Sequence, residues 1–152
     1  MIKTLVVGCG PRPRRRPNTH EETMLDCRPF EGVDVVHDLN RTPWPFEDGQ
    51  FDEVVGLHVI EHLGDFLQFH DEAWRVLRPG GHLYLETPLA GGNWDLTHAD
   101  PTHVRCYRPH SWINYLTRAE GPKFGYTDRL WCIMHLAVVH DNIHIHLSKV
   151  VD

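Results

Sequence analysis

Short apolar runs separated by turn-forming residues divide the first half of the chain into predicted strands. The strand predicted at residues 3–7 contains the apolar run Leu5-Val6-Val7 and ends at Gly8-Cys9-Gly10, a pattern typical of a strand buried on both faces. Further short strands are predicted at 22–26, 33–37, 51–57 and 82–86. Proline, glycine and aspartate fill the intervals between them, and the spacing favours βαβ units in a parallel sheet over a β-sandwich.

Helical periodicity is present in two segments. Between Asp65 and Leu77 apolar residues recur at steps of three and four, and Asp65 is placed to cap the first turn. A second helix is predicted near 109–119, with Pro109 in its first turn. By contrast, residues 11–21 hold three prolines and four arginines, so a loop is predicted where a crossover helix would normally follow the first strand.

The chain is predicted to end in an antiparallel hairpin at one edge of the sheet, with strands at about 126–139 and 142–151. With 152 residues, 41% of them hydrophobic, the chain can bury one core, so we expect a single domain over 1–152. The class predicted from the pattern is α/β.

Charge and apolar content exclude several classes of partner. A formal charge of −6 argues against a broad nucleic-acid surface, and the four arginines between Arg12 and Arg16 are the one local candidate for a phosphate contact. No apolar stretch approaches the roughly 18 residues of a membrane span, so we expect no membrane partner and a cytoplasmic location. Four cysteines without CxxC spacing predict free, reduced thiols.

The first candidate site combines a glycine turn with an acid. Gly8-x-Gly10 follows the opening strand, and Asp26 ends the second one. In doubly wound sheets such glycines let a ligand approach the backbone, and such an acid accepts ribose hydroxyls. Arg12 and Pro13 stand where a dinucleotide fingerprint needs a helix N-terminus, so NAD is disfavoured and S-adenosylmethionine fits the loop better.

Several short motifs occur together in the order of one enzyme family. They are VVGCG at 6–10, LD at 25–26, HDLN at 37–40, PWPFEDGQFDEV at 43–54, HVIEHL at 58–63 and RVLRPGG at 75–81. On these motifs the chain closely resembles the class I S-adenosylmethionine-dependent methyltransferases, of the small type 11-like kind. The resemblance implies a Rossmann-like three-layer sandwich, whose mostly parallel seven-stranded sheet has its last strand inserted antiparallel.

The resemblance also implies which residues bind the cofactor. Three of them, Gly8, Cys9 and Gly10, would pass beside its methionine and ribose, and Asp26 would hold the ribose hydroxyls. The adenine would contact Asp38 and Leu39, and the sulfonium end would be lined by His58 and Val59. For Asp38 an alternative is a turn-forming role before Asn40.

The spacing His58-x-x-Glu61-His62 raises the question of a metal. It matches the H-x-x-E-H pattern of some zinc proteases, but here it straddles a strand end, so that class is disfavoured. A similar Glu-His pair binds a divalent ion in small-RNA 2′-O-methyltransferases and ubiquinone-pathway O-methyltransferases, and His98 or His103 could supply a further ligand. We favour a role for Glu61 and His62 in organising the turn, and expect no metal.

The acceptor is expected to bind over the segment 87–120, whose loop could close through Trp94. Within this segment His98 and His103 are the candidate general bases. The predicted reaction is methyl transfer to an oxygen or nitrogen of an unidentified acceptor: a small molecule or glycan, an RNA end, or a protein side chain. The alternative is a non-catalytic cofactor-binding scaffold or one subunit of a heteromeric enzyme, because Val6 stands where the family commonly has an acid or amide.

Overall fold

A computed structural model describes residues 1–16, 18–92 and 96–150, and of residue 96 only the backbone. Within these residues seven strands form one sheet. They are β1 (Ile2–Val7), β2 (His20–Asp26), β3 (Val35–Val36), β4 (Phe51–Leu57), β5 (Leu77–Pro88), β6 (Trp131–Val139) and β7 (Asn142–Lys149). The order across the sheet is β3-β2-β1-β4-β5-β7-β6. Strands β1 to β5 pair in parallel, and β7 runs antiparallel to both β5 and β6. This confirms the predicted Rossmann-like sheet.

The described helices all follow β4. A 3-10 turn at Ile60–His62 precedes α1 (Phe66–Val76), and α2 (Leu96–Ala99), α3 (His110–Leu116) and α4 (Gly121–Phe124) follow β5. The predicted cap of α1 is confirmed, since the Gln68 N–H donates to Asp65 Oδ1 at 3.0 Å. Helix α3 is shorter than predicted, and α2 and α4, of four residues each, are too short to show periodicity.

The hairpin at the sheet edge is also confirmed, with its turn at His140-Asp141 between the two strands. His140 and Asp141 both have positive φ, 47° and 62°, and Val139 pairs with Asn142. These values are those of a two-residue turn whose twist matches the flanking strands. Strand β6 begins at Trp131 rather than near 126.

The two faces of the sheet differ in polarity. Side chains such as Leu5, Val54 and Leu83 lie on one face and pack in a single core with α1 and α3. Alternate positions such as Tyr84 and His146 lie on the other face and are partly exposed.

Among the described residues no helix follows β1, β2 or β3, so the layer on the polar face is reduced to the predicted loop. Arg16 in that loop forms ion pairs with Glu22 at 2.6 Å and with Glu53 at 3.5 Å. The loop is thereby tied to β2 and β4.

Candidate functional site

A cavity of about 680 Å³ opens at the carboxyl ends of β1, β2 and β4. Seven of the eight residues predicted to contact a cofactor line it: Gly8, Gly10, Asp26, Asp38, Leu39, His58 and Val59. Cys9 is not among the lining residues, and its N–H donates to the Leu25 carbonyl at 3.1 Å. The cavity lies where parallel α/β sheets bind ligands, outside the carboxyl edge.

The glycine turn and Asp26 form one hydrogen-bonded unit. Gly8 and Gly10 have φ of 62° and 71°, in the left-handed region that favours glycine. The Gly10 N–H donates to Asp26 Oδ2 at 2.9 Å, and the Arg28 N–H donates to Asp26 Oδ1 at 3.0 Å. Each carboxylate oxygen keeps a further lone pair, so Asp26 can hold this turn and still accept hydrogen bonds from the hydroxyl groups of a ligand.

Asp38 forms the turn that was considered for it from the sequence, and it also lies at the cavity. Its Oδ1 accepts the Asn40 N–H at 3.0 Å and the Asn40 side-chain amide at 3.1 Å, which is the turn-forming arrangement. The residue also lines the cavity, beside Leu39. A carboxylate fixed in this way is available to a ligand amine without reorganising.

Other lining residues were not predicted. They include Cys27, Arg28, Phe30, His37, His62 and Thr102. Two of them, Cys27 and Arg28, directly follow Asp26 and could have been inferred from that adjacency. For Phe30 and Thr102 no signal exists in the sequence, because their place at the cavity depends on loop conformation. Burial raises the pKa of the Cys27 thiol, which favours its neutral form.

His58 occupies a strained position at the end of β4. Its φ is 52°, which is uncommon for a residue with a side chain. Its Nε2 lies 3.2 Å from Glu86 Oε1, and its Nδ1 lies 3.4 Å from Glu61 Oε1. The neighbouring Glu61 carboxylate raises the pKa of His58, although burial opposes the shift. The side chain therefore lies between two carboxylates at the rim of the cavity.

The two candidate bases occupy different surroundings. His103 is 8% exposed, and its Nε2 lies 4.0 Å from Glu61 Oε1 and 3.9 Å from Asp100 Oδ2. Its ring packs edge-on against His62, with ring centroids 4.7 Å apart. His98 is exposed, with its Nε2 3.9 Å from the Cys106 sulfur, and is not among the residues lining the 680 Å³ cavity.

Residues 100–105 dock onto the turn after β4, a contact that the sequence did not indicate. The backbone N–H groups of Val104 and Arg105 both donate to the Glu61 carbonyl, at 2.9 and 3.1 Å. His62 Nδ1 lies 3.3 Å from the Thr102 carbonyl oxygen and 3.1 Å from its hydroxyl. This brings part of the predicted acceptor segment to the cavity wall, while Trp94 lies outside the described residues.

The arginine run is partly engaged within the chain. Arg15 donates to Asp34 at 2.7 Å and Arg16 pairs with Glu22, whereas Arg12 and Arg14 are exposed. Two of the four charges proposed for an RNA end therefore already have carboxylate partners. In the described part of the chain, no helix is both long and apolar enough to cross a membrane.

Comparisons with known proteins agree with this architecture. A family described as a methyltransferase domain matches residues 17–85. A Mycolicibacterium smegmatis protein assigned as an S-adenosylmethionine-dependent methyltransferase is 48% identical over 59 residues, which are 39% of this chain and 23% of that protein. The match thus spans about a quarter of the relative's length.

Solved structures show the same fold at low identity. A methyltransferase complexed with the Trm112 activator of Haloferax volcanii gives a TM-score of 0.70 at 14% identity, over 97% of this chain and 82% of that one. A Bacillus halodurans protein assigned as a methyltransferase gives 0.69 at 16% identity, over 99% and 93%. These structures confirm the fold that the resemblance implies, and the two sequence matches support the resemblance stated from the motifs.

Proposed function

We propose that this chain, which belongs to the class I S-adenosylmethionine-dependent methyltransferases, transfers the methyl group of that cofactor to an oxygen or nitrogen of an acceptor. The observation that carries the proposal is the cavity at the sheet edge. It brings Gly8, Gly10, Asp26 and Asp38 together from the ends of separate strands, although they are spread over 31 positions of the sequence.

The reaction needs little covalent help from the protein. A lone pair on the acceptor atom forms a bond to the methyl carbon while the carbon–sulfur bond breaks. The bonding electrons stay on sulfur, giving S-adenosylhomocysteine, and the acceptor loses its proton to a base or to water. Because the sulfonium is already an activated leaving group, holding the two reactants in line supplies most of the acceleration.

In this proposal the acceptor binds against residues 87–120, and His103 is the candidate general base. His103 is preferred over His98 because it is buried beside His62 and Glu61, and His62 lines the cofactor cavity. The choice between a small molecule, a glycan, an RNA end and a protein side chain stays open. The partial pairing of the arginine run weakens the case for an RNA end.

A cytoplasmic location remains part of the proposal. All four cysteines (Cys9, Cys27, Cys106 and Cys132) are free, which accords with a reducing compartment.

A second candidate function is a subunit of a heteromeric enzyme, or a cofactor-binding scaffold. One of the fold neighbours is a methyltransferase that forms a complex with an activator protein. In this chain the polar face of the sheet, with Tyr84 and His146, has no described helix over it and offers an area for such a partner.

Calorimetric titration with S-adenosylmethionine tests the proposal. We expect the wild type to bind it, and Asp26→Asn to bind at least tenfold more weakly, because the substitution removes the charge that accepts ribose hydroxyls while keeping the side-chain volume. Glu47→Ala, on an exposed turn, is the matched control and should bind like the wild type. Equal affinity in Asp26→Asn and the wild type would contradict the assigned pocket.

Methyl incorporation from labelled cofactor into candidate acceptors then separates the two functions. Incorporation that falls in Asp26→Asn supports the enzyme. If the chain binds the cofactor but incorporates methyl groups only after a protein partner is added, the result supports the heteromeric form.

A further inference from the structure

The second polar cluster of the molecule consists of Glu61, His62 and His103, called here the Glu61 cluster. One carboxylate oxygen and one nitrogen from each imidazole lie within 4.8 Å of one another. The residues come from two places in the chain, the 3-10 turn after β4 and the loop that docks upon it. Neither the binding of a methionine-derived cofactor nor the fold itself requires this convergence.

Each member has a hydrogen-bond partner that orients its side chain. The Thr87 hydroxyl donates to Glu61 Oε2 at 3.0 Å, which leaves Oε1 for the cluster. His103 Nδ1 lies 3.1 Å from the Thr97 carbonyl, and His62 Nδ1 lies 3.3 Å from the Thr102 carbonyl. A carbonyl can only accept, so each Nδ1 is the donor, and the neutral form of this tautomer has a lone pair on Nε2 for a metal ion. Partners of this kind orient metal-binding histidines in proteins.

The carboxylate of Glu61 lacks a hydrogen-bond donor where the cluster converges. Its side chain is 1% exposed, and within the described residues its Oε1 accepts no hydrogen bond. The imidazole nitrogens His58 Nδ1 and His103 Nε2 lie 3.4 and 4.0 Å from this oxygen, and neither donates a hydrogen bond to it. A buried carboxylate oxygen without a partner is costly, and a bound cation would satisfy it.

We propose that Glu61, His62 and His103 form a binding site for one divalent transition-metal ion. Two imidazoles and a carboxylate favour Zn²⁺, Fe²⁺, Co²⁺ or Mn²⁺ over Mg²⁺ or Ca²⁺, which prefer oxygen ligands throughout. Ligand atoms of a tetrahedral site with bonds near 2.1 Å lie roughly 3.4 Å apart, so the 4.0 Å between Glu61 and His103 needs a contraction of well under 1 Å. From the sequence, His103 was one of two possible further ligands and no metal was expected; the folded chain brings His103 to Glu61 and His62.

The position of the metal site indicates which class of acceptor the protein would bind. This inference rests on the proposed function. His62 and Thr102 line the cofactor cavity, and His58 and His103 line a shallower cavity beside it, so the ion would lie between the two. With three protein ligands, positions stay open for oxygen atoms of a second molecule. We therefore expect a hydroxyl-bearing acceptor, in which case His103 acts as a ligand rather than as the base.

Titration of the chelator-treated protein with Co²⁺ tests the site without any cofactor. Visible absorption bands report the ligand field of Co²⁺, and calorimetry with Zn²⁺ gives affinity and stoichiometry. We expect one equivalent to bind to the wild type, and at least tenfold weaker binding in Glu61→Gln and in His103→Asn. His98→Asn, which removes a histidine of the same loop outside the cluster, should bind like the wild type. Circular dichroism melts confirm that each variant is folded.

The outcomes are distinct from those that test the cofactor pocket. Absence of Co²⁺ and Zn²⁺ binding by the folded wild type overturns the metal site, as does equal affinity in Glu61→Gln or equal loss in His98→Asn. S-adenosylmethionine is titrated into the same samples. Metal binding without cofactor binding supports the metal site and contradicts the proposed function. Cofactor binding without metal binding supports the proposed function and contradicts the metal site.

Discussion

At the scale of single residues, the Gly8-Cys9-Gly10 turn depends on how closely Gly8 approaches Val59. A Cβ at Gly8 would lie 2.5 Å from Val59 Cγ2, whereas one at Gly10 would meet nothing within 4 Å. Both residues have positive φ. We predict that Gly10→Ala lowers the free energy of unfolding by about 1 kcal/mol, because only its positive φ opposes a side chain. Gly8→Ala should lower it by roughly 2–4 kcal/mol, because the new Cβ also overlaps Val59. Urea denaturation of both variants measures the difference.

The contribution of the overlap can be separated with a double variant. In the double variant Gly8→Ala, Val59→Ala the overlapping Val59 side chain is absent. We therefore expect this variant to be less destabilised than the sum of the two single changes. Strict additivity would mean that Val59 is not the cause and that the φ of Gly8 accounts for the whole effect.

At the scale of elements, the segment that replaces the first crossover helix is fastened through Arg16. Its Nε donates to Glu22 Oε1 at 2.6 Å and its backbone N–H to Glu22 Oε2 at 2.7 Å, and the Glu22 side chain is only 3% exposed. Burial alone would raise the pKa of Glu22, but the Arg16 contacts outweigh it and lower that pKa. The segment therefore depends on a charge-assisted pair rather than on an apolar helix face.

This arrangement distinguishes the arginines by experiment. Arg16→Gln leaves a nearly buried carboxylate with weaker partners and should lower the free energy of unfolding by about 1–2 kcal/mol. Arg14→Gln changes an exposed neighbour of the same type and should stay within about 0.5 kcal/mol. Chemical denaturation at one salt concentration compares them, and an equal effect of both changes would show that the pair with Glu22 is not what fastens the segment.

Elements with a strong local pattern could be predicted, and those formed by tertiary contacts could not. Strand β4 has the predicted bounds because Phe51 and the run Val54-Val55-Gly56-Leu57 stand between turn-forming segments, and α1 was indicated by its cap and its periodicity. Strand β5 extends back to Leu77, where Leu77 pairs with Phe51 across a shift in register that no local pattern encodes. Strand β3 is reduced to Val35–Val36, because only that part pairs with β2.

The same distinction applies to the candidate site. Gly8, Gly10 and Asp26 were found because each stands at a strand end, where the topology alone fixes its place. The nearness of His103 to Glu61 depends on hydrogen bonds between the Glu61 carbonyl and residues more than 40 positions away, Val104 and Arg105. His103 was singled out for its residue type, and its neighbours required the folded chain.

At the scale of the whole molecule, the helical layer contains a histidine without exposed surface. His70 of α1 has 0% exposure, its Nδ1 lies 2.7 Å from the Phe66 carbonyl, and its Nε2 accepts the Trp112 indole N–H of α3 at 3.0 Å. Burial lowers its pKa to about 4, although the Phe66 carbonyl opposes the shift. The neutral ring thus joins the two longest helices, and protonation would disrupt the contact with Trp112.

The sign of the resulting pH dependence follows from where the protons bind. Between pH 6.5 and pH 4 the unfolded chain protonates His70 and the folded chain does not, so stability falls as the pH falls through this window and this residue adds no further loss below it. From pH 7 to pH 5 we expect it to contribute a loss of about 2 kcal/mol. His70→Gln should be less stable at pH 7 yet lose that much less on acidification, as measured by urea denaturation at both values. Parallel losses in the two proteins would assign the acid sensitivity to the other titratable groups, because those are common to both.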